Sequence, residues 1–288
     1  MSGVVQLSFH RKPSSLRYML RGLTPTRRTA DLHPQIVARW RNHRAEPSEL
    51  ASFLEITGLP EGRDLPLLYP HVFAFRLAMA VLTHPVFPVP IWVVLQTRNH
   101  LTQYRPIAVE SVMDIETRVL GGRATAKGAE FDLRTTVRVD TTIAWESLVT
   151  FFARGRFGEP GPDSPLVRSP TEYGPLVAEW TPRNAGHWRF GRYTGDYNGI
   201  HFWDAYARRF GFPRALFHPP RVLGECLGRL AGPRGRGGPQ RLDAWLKGPV
   251  PHGTLVRLHE VCGTDQTTFA LFVERERPCI VGRLQQAA

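Results

Sequence analysis

Asp196 and His201 stand five positions apart in the segment Tyr193-Thr-Gly-Asp-Tyr-Asn-Gly-Ile-His201. Gly195 and Gly199 supply backbone freedom for a tight turn there, so both side chains can face one cavity. A carboxyl with a reference pKa near ~3.9 stays charged at neutral pH, and an imidazole near ~6.5 gives or takes a proton, so the two together can activate a water. The same string also suits a turn that caps a helix, with Asn198 as the cap. On the residues alone both readings stay open.

Other side chains could contribute. Tyr193, Phe202 and Trp203 could cover an apolar substrate, although aromatic residues at helix starts equally pack into cores. His218 and Arg221 flank Pro219-Pro220; each suits either a pocket or simple packing and ion pairing. Arg234, Arg236 and Arg241 could meet phosphates or be a solvated loop. His252 and His259 have no evident partners. Cys226 has no His or Asp at a telling spacing, which argues against a thiol nucleophile. The three cysteines include no Cys-x-x-Cys pair. That argues against a disulfide framework or a zinc knuckle and fits a reducing cytoplasm.

The elements around this segment fall into two similar series. In the first, helices are expected over Asp31–Arg44, Pro47–Thr57 and His71–Leu82. Strands follow over Val93–Leu101, Ala108–Arg118, Ala129–Asp140 and Thr142–Arg154, with Gly121-Gly122 as a turn. Gly155–Pro175 is rich in Gly, Pro, Ser and Asp, as linkers are. In the second series a strand over His187–Arg192 leads into the Asp/His segment. Helices over Ile200–Phe210 and Phe217–Leu230 come next, the latter with its prolines in the first turn, where a missing N–H costs little. A glycine-rich loop and strands near Arg241–Lys247, Thr254–Cys262, Thr267–Arg275 and Cys279–Leu284 complete it. Tyr69-Pro70 and His218-Pro219 each open a helix followed by strands, a weak internal repeat. The expected division is an N-terminal helical or irregular extension over 1–58, a first α+β unit over 59–155, a linker over 156–175 and a second unit over 176–288.

Composition bounds the partners. The chain has 288 residues, enough for two domains at about 150 each. Apolar residues make up 42% and charged residues 22%, an ordinary folded composition. The net charge of +12 is nearly all Arg, with Lys only at 12, 127 and 247. An anionic partner fits that charge. The absence of one long basic run argues against nucleic acid. The longest apolar stretch, His71–Leu82, is broken by Arg76 and falls short of the roughly 20 residues of a membrane span. The first thirty residues hold six Lys or Arg and no acid. That resembles a mitochondrial transit segment in composition and equally suits a frayed, Arg-rich start.

Thr194-Gly-Asp-x-Asn-Gly-Ile-His201, followed by Ala205, Gly211-Phe212 and His218, resembles the motif of the MaoC-like (R)-specific enoyl-CoA hydratases and acyl dehydratases. That motif runs Ser/Thr-Gly-Asp-x-Asn-Pro-Ile/Leu-His, then a helix, Gly-Phe and His-Gly-Met. The resemblance implies an α+β double hot-dog fold, two long helices each wrapped by an antiparallel sheet, with a degenerate first half that widens the acyl tunnel. It implies that Asp196 and His201 hold and activate water and move the C2 proton of an enoyl or 3-hydroxyacyl thioester. Asn198 and Gly195 would shape the loop or hold the water. In the family the backbone N–H of the Gly in His-Gly-Met polarises the thioester carbonyl; Pro219 stands there and has none. Arg221, by N–H or guanidinium, is the implied replacement, with His218 beside it. The implied partner is an acyl-CoA or acyl-carrier-protein thioester. No metal or redox cofactor is implied, a cytoplasmic setting is expected, and a homodimer is left open. The Pro219 departure motivates a rival, a non-catalytic thioester-binding or assembly subunit. A second rival is a hot-dog thioesterase using Glu225.

Overall fold

The helix α3 (Tyr69–Leu82) is apolar almost all round, so no face of it suits water. Thirteen of its fourteen residues are buried. Pro70 sits in its first turn and Thr83 Oγ1 donates to the Met79 carbonyl at its end. In the computed structural model, residues 3–22, 31–184, 186–231, 238–274 and 276–286 are described. Around α3 the strands β1 (Val5–Phe9), β2 (Ile36–His43), β3 (Val94–Gln103), β4 (Met113–Thr125), β5 (Gly128–Val139) and β6 (Thr142–Arg154) form one half of a sheet. The helices α1 (Ser15–Gly22) and α2 (Pro47–Thr57) belong to the same half of the chain.

The second half contains β7 (Leu176–Trp180), α4 (His187–Thr194), α5 (Asp204–Arg208), α6 (Pro219–Leu227), β8 (Gln240–Leu246), β9 (Val256–Cys262), β10 (Gln266–Val273) and β11 (Ile280–Gln286). Its strands continue the first sheet in the order β1-β2-β4-β5-β6-β3-β8-β11-β10-β9-β7. Among the described residues only β1 and β2 run parallel, and the other neighbouring strands are antiparallel. The seam between halves is β3 against β8, where His100 lies opposite Asp243. His100 Nδ1 is 2.7 Å from Asp243 Oδ1, and Arg241 and Arg283 donate to the same carboxylate. Burial alone would raise the Asp243 carboxyl, but these three donors hold it below the usual range.

Several expectations change. The helix expected over Asp31–Arg44 is β2, whose buried Ile36, Ala38 and Trp40 alternate with less buried neighbours. Residues 1–58, expected as a helical or irregular extension, contribute β1 and β2 to the first half of the sheet. Gly121-Gly122 is no turn. It lies inside β4, where the register slips between Val119 and Gly121 and Gly121 takes a φ of 145°. The strand expected over His187–Arg192 is α4. Phe190, Tyr193 and Thr194 make its buried stripe at helical spacing, and Gly186 and Gly195 bound it in left-handed conformations. The helix expected over Ile200–Phe210 splits into a single 3-10 turn, Gly199–His201, and the short α5. The first half carries the long helix α3. Between it and β5 and β6 there is a narrow pocket, with His71, Ala74, Ala78, Thr135 and Ser147 among its lining residues. Arg234 and Arg236 lie outside the described residues.

Candidate active site

The loop from Thr194 to His201 is built by short side chains that bond their own backbone two residues on. Thr194 Oγ1 accepts from Asp196 N at 3.1 Å, Asp196 Oδ1 from Asn198 N at 3.1 Å, and Asn198 Oδ1 from Ile200 N at 3.2 Å. Asn198 is therefore the cap of the 3-10 turn, and its carbonyl oxygen is spent on that bond. The capping reading of this string holds, and the same cap turns His201 back toward Asp196. His201 Nε2 lies 3.5 Å from Asp196 Oδ2. The Leu216 carbonyl, 2.9 Å from His201 Nδ1, can only accept, so Nδ1 carries the hydrogen and Nε2 faces the carboxylate with its lone pair when the ring is neutral.

His218 completes the cluster. Its ring stacks on His201 with centroids 3.9 Å apart and planes 21° apart. Its Nε2 donates to the Asp196 carbonyl at 3.1 Å. Burial above all, and the neighbouring His201, push His218 down to about 3, so it is neutral at physiological pH. Asp196 is held down at about 2: burial would raise it, but His201, His218 and the Asn198 N–H outweigh that. Asp196, His201 and His218 each offer a ligand atom within 4.8 Å of the others. The donor types suit a divalent ion. The two rings stack face to face at 3.9 Å, however, and His218 Nε2 is spent on the Asp196 carbonyl, whereas a metal needs nitrogens converging at about 2.0–2.1 Å.

A residue that sequence reasoning passed over positions this loop. Arg76, in the middle of α3, is buried. Its Nε donates to the Tyr193 carbonyl at 3.2 Å, its Nη2 to the Arg192 carbonyl, and its Nη1 to Pro13 O and Ser15 Oγ. A guanidinium thus grips the C-terminal carbonyls of α4 one residue before the turn, where a helix end favours a cation. The only signal in the sequence is an Arg inside an apolar helix, a residue type that is almost never buried without partners.

Gly195 is fixed for two reasons. Its φ is 77°, and a Cβ there would lie 2.4 Å from Ser15 Oγ and 3.2 Å from Arg76 Cγ. Gly199 is small for space rather than for freedom: a Cβ would meet Trp203 and Tyr206 at 3.0 Å, and its φ is not positive. Tyr193, expected to line a substrate tunnel, is a core residue beside Phe190 and holds the loop through its carbonyl. Phe202 does sit at the site, 5.8 Å from the His218 ring, and Trp203 lies beyond it, half exposed.

The start of α6 lacks the expected carbonyl donor. Pro219 and Pro220 have no N–H, and the Arg221 N–H is spent on the His218 carbonyl at 3.0 Å. That closes the backbone route through Arg221. Its guanidinium is buried: Nε donates to Glu225 Oε1 at 3.2 Å, Nη2 to the Arg183 carbonyl, and Nη1 has no partner. Glu225 is occupied on both oxygens, the second by Trp180 Nε1 at 2.7 Å. A thioesterase water at Glu225 would share its oxygens with these two donors. Cys226 is inert, since burial pushes its thiol up. Arg241 pairs with Asp243 at the seam, and His259 bonds the Gly174 carbonyl. His252 packs on Phe217 at 4.3 Å.

No family model matches the chain. It is 31% identical over 210 residues to the 3-hydroxyacyl-thioester dehydratase X of Mycobacterium tuberculosis, covering 72% of this chain and 75% of that one. The crystal structure of HtdX from the same organism superposes with a TM-score of 0.73 at 25% identity, over 87% of this chain and all of that one. A double hot-dog protein of M. tuberculosis superposes with a TM-score of 0.57 at 13% identity over 91% of this chain, a likeness of fold alone.

Proposed function

The chain belongs to the MaoC-like acyl-thioester dehydratases, a family of double hot-dog lyases, and on that premise we propose that Asp196 and His201 carry the chemistry. It acts on acyl thioesters, adding water to a 2-enoyl thioester or removing it from a 3-hydroxyacyl thioester. The observation that supports the site is the 3.5 Å gap between His201 Nε2 and Asp196 Oδ2. A water oxygen at about 2.8 Å from each fits that gap.

In the hydration direction, His201 Nε2 takes one proton as the water oxygen bonds to C3. The electrons of the double bond move toward the thioester carbonyl, giving enolate character. His201 then returns the proton to C2, so the water supplies both new groups. Asp196, kept as a carboxylate, accepts a hydrogen bond from the second water hydrogen, which stays on the new C3 hydroxyl, and offsets the imidazolium charge. Dehydration is the reverse. His218, neutral and stacked, supports the His201 ring without competing for the proton.

The developing enolate needs a donor. Pro219 cannot supply it, and the Arg221 N–H is spent. We assign that part to Arg221 Nη1, a buried, charged donor without an acceptor. The residues need no metal or redox group for this sequence of steps. A cytoplasmic setting fits three free cysteines, two of them buried. No helix among the described residues is long and apolar enough to cross a membrane.

The test is incubation with trans-2-enoyl-CoAs of several lengths and chiral analysis of the product. The account expects the (3R)-hydroxyacyl thioester. An (S) product, or free thiol released without hydration, would refute it.

A further inference from the structure

We propose that the half-exposed rings of Trp188 and Trp203 are the landing site for the adenine-nucleotide end of coenzyme A. The thioester this enzyme takes is then carried by CoA and not by a carrier protein. The inference rests on the acyl-thioester reading above and specifies its substrate class.

An unbroken line of aromatic rings leads outward from the catalytic pair. Phe202 lies 5.8 Å from the His218 ring, edge to face. Trp188 stacks on Phe202 at 4.2 Å with planes 24° apart, and Trp203 meets Trp188 edge-on at 5.8 Å. Asp196 and His201 keep 18% and 11% of their side chains open to solvent, so the pair is reachable from outside. Trp188 and Trp203, at its outer end, are 49% and 53% exposed. Two large rings left this open, beside a buried reaction centre, give a ligand flat apolar faces to cover.

The charge around them is positive. Arg192 lies one turn along α4 from Trp188, on the same face, and is 73% exposed. Its contact with Glu49 is a long 3.8 Å. Arg208 closes the helix that Trp203 caps and is exposed. The acid between them, Asp204, accepts from the Ala215 N–H and keeps its charge, so the two arginines outnumber it. A ligand with a flat heteroaromatic ring and phosphates satisfies both features: the ring stacks on indole, and the phosphates meet guanidinium groups. An acidic carrier protein would use the same charge; the exposed indoles favour a ligand that brings a flat ring of its own.

The experiment compares crotonyl-CoA, crotonyl-pantetheine and a crotonyl carrier protein with wild type, Trp188→Ala, Trp203→Ala and Arg192→Ala. For crotonyl-CoA, each variant is expected to raise KM about tenfold with kcat kept, the tryptophan changes by losing a base stack and Arg192→Ala by losing a phosphate contact. Turnover of crotonyl-pantetheine should stay unchanged, which also shows that each variant is folded. Equal losses on both small thioesters, no loss on either, or a wild-type preference for the carrier protein would overturn the proposal. A second readout needs no turnover: 3′,5′-ADP alone should quench tryptophan fluorescence in wild type and not in Trp203→Ala. Quenching equal in both proteins, or absent from both, would also overturn it. Failure of wild type to turn over any of the three thioesters would strike the dehydratase reading instead, and the fluorescence arm would still decide the nucleotide site.

Discussion

His201 Nε2 stands 3.5 Å from Asp196 Oδ2, too far for a strong direct bond and near enough for one water to touch both. Everything around the pair keeps it that way. Leu216 fixes the His201 tautomer, His218 stacks on its ring, and the turn between the two residues is closed by its own side chains.

The grip of Arg76 makes Gly195 irreplaceable. Gly195→Ala combines a left-handed φ with a Cβ driven into Ser15 and Arg76. Gly211 has a similar φ of 83° but open space around it. Gly211→Ala should cost about 1 kcal/mol of stability and leave turnover intact. Gly195→Ala should cost more and lower kcat by at least tenfold, because the turn that places Asp196 must move. Thermal melts beside steady-state rates separate the two. Equal behaviour of the variants would contradict the close-packing argument.

Acid should weaken the fold well before it titrates Asp196. Burial, foremost, holds His43 and His71 near 4 and His218 near 3. In the unfolded chain these groups titrate near ~6.5. Between those values the unfolded state binds more protons, so stability is full above about pH 6.5 and is lost as pH falls toward 4. Each group contributes about 1.4 kcal/mol per unit of separation. Asp196, depressed to about 2, adds a loss only below about pH 4, the unfolded range of a carboxyl. The melting temperature should drop by several degrees from pH 7.5 to pH 5.0; a flat profile over that range would contradict these protonation states.

Arg221 is expected to take over from the missing N–H of Pro219. Removing it alone would leave Glu225 buried without its cation, so Arg221→Met is best made together with Glu225→Gln. That pair of changes should lower kcat by roughly 10²–10³, the usual cost of one carbonyl donor, with KM little changed. Adding Pro219→Gly restores an N–H at the helix start and should recover part of the rate. A double variant with unchanged kcat would remove Arg221 from the reaction.

The seam between the halves should behave as a structural pair. Asp243 is fully buried and opposite His100. Asp243→Asn loses the charge that His100, Arg241 and Arg283 share, and should cost on the order of 3–5 kcal/mol, the usual price of breaking a buried pair. Denaturant unfolding measures it. A change below about 1 kcal/mol would show the network to be no more than a surface ion pair.

The sequence was most legible where local chemistry and fold agree. The Asp196 to His201 string is a chain of Asx-type turns, so its residue types announce both the turn and the pair. The strands β5 and β6 and the helix α2 follow their periodicity to within a residue or two. It was least legible where tertiary partners override local preference. Ile36–His43 becomes a strand because β4 offers it an edge, and His187–Thr194 becomes a helix because Arg76 and two glycines secure its ends. Arg76 itself was invisible as a site residue, since it acts across 117 positions of sequence on a carbonyl that any residue could supply.

Water activation by Asp196 and His201 together is what the proposed chemistry stands on. The most direct measurement is hydration of crotonyl-CoA, followed by loss of enoyl-thioester absorbance, for wild type and Asp196→Asn. Asn keeps an oxygen to accept the Asn198 N–H, so the turn and the melting temperature should survive. The account predicts robust wild-type hydration and a loss of roughly 10²–10⁴ in the variant, the range of a general acid–base contribution. Wild-type rates in a folded Asp196→Asn would contradict it.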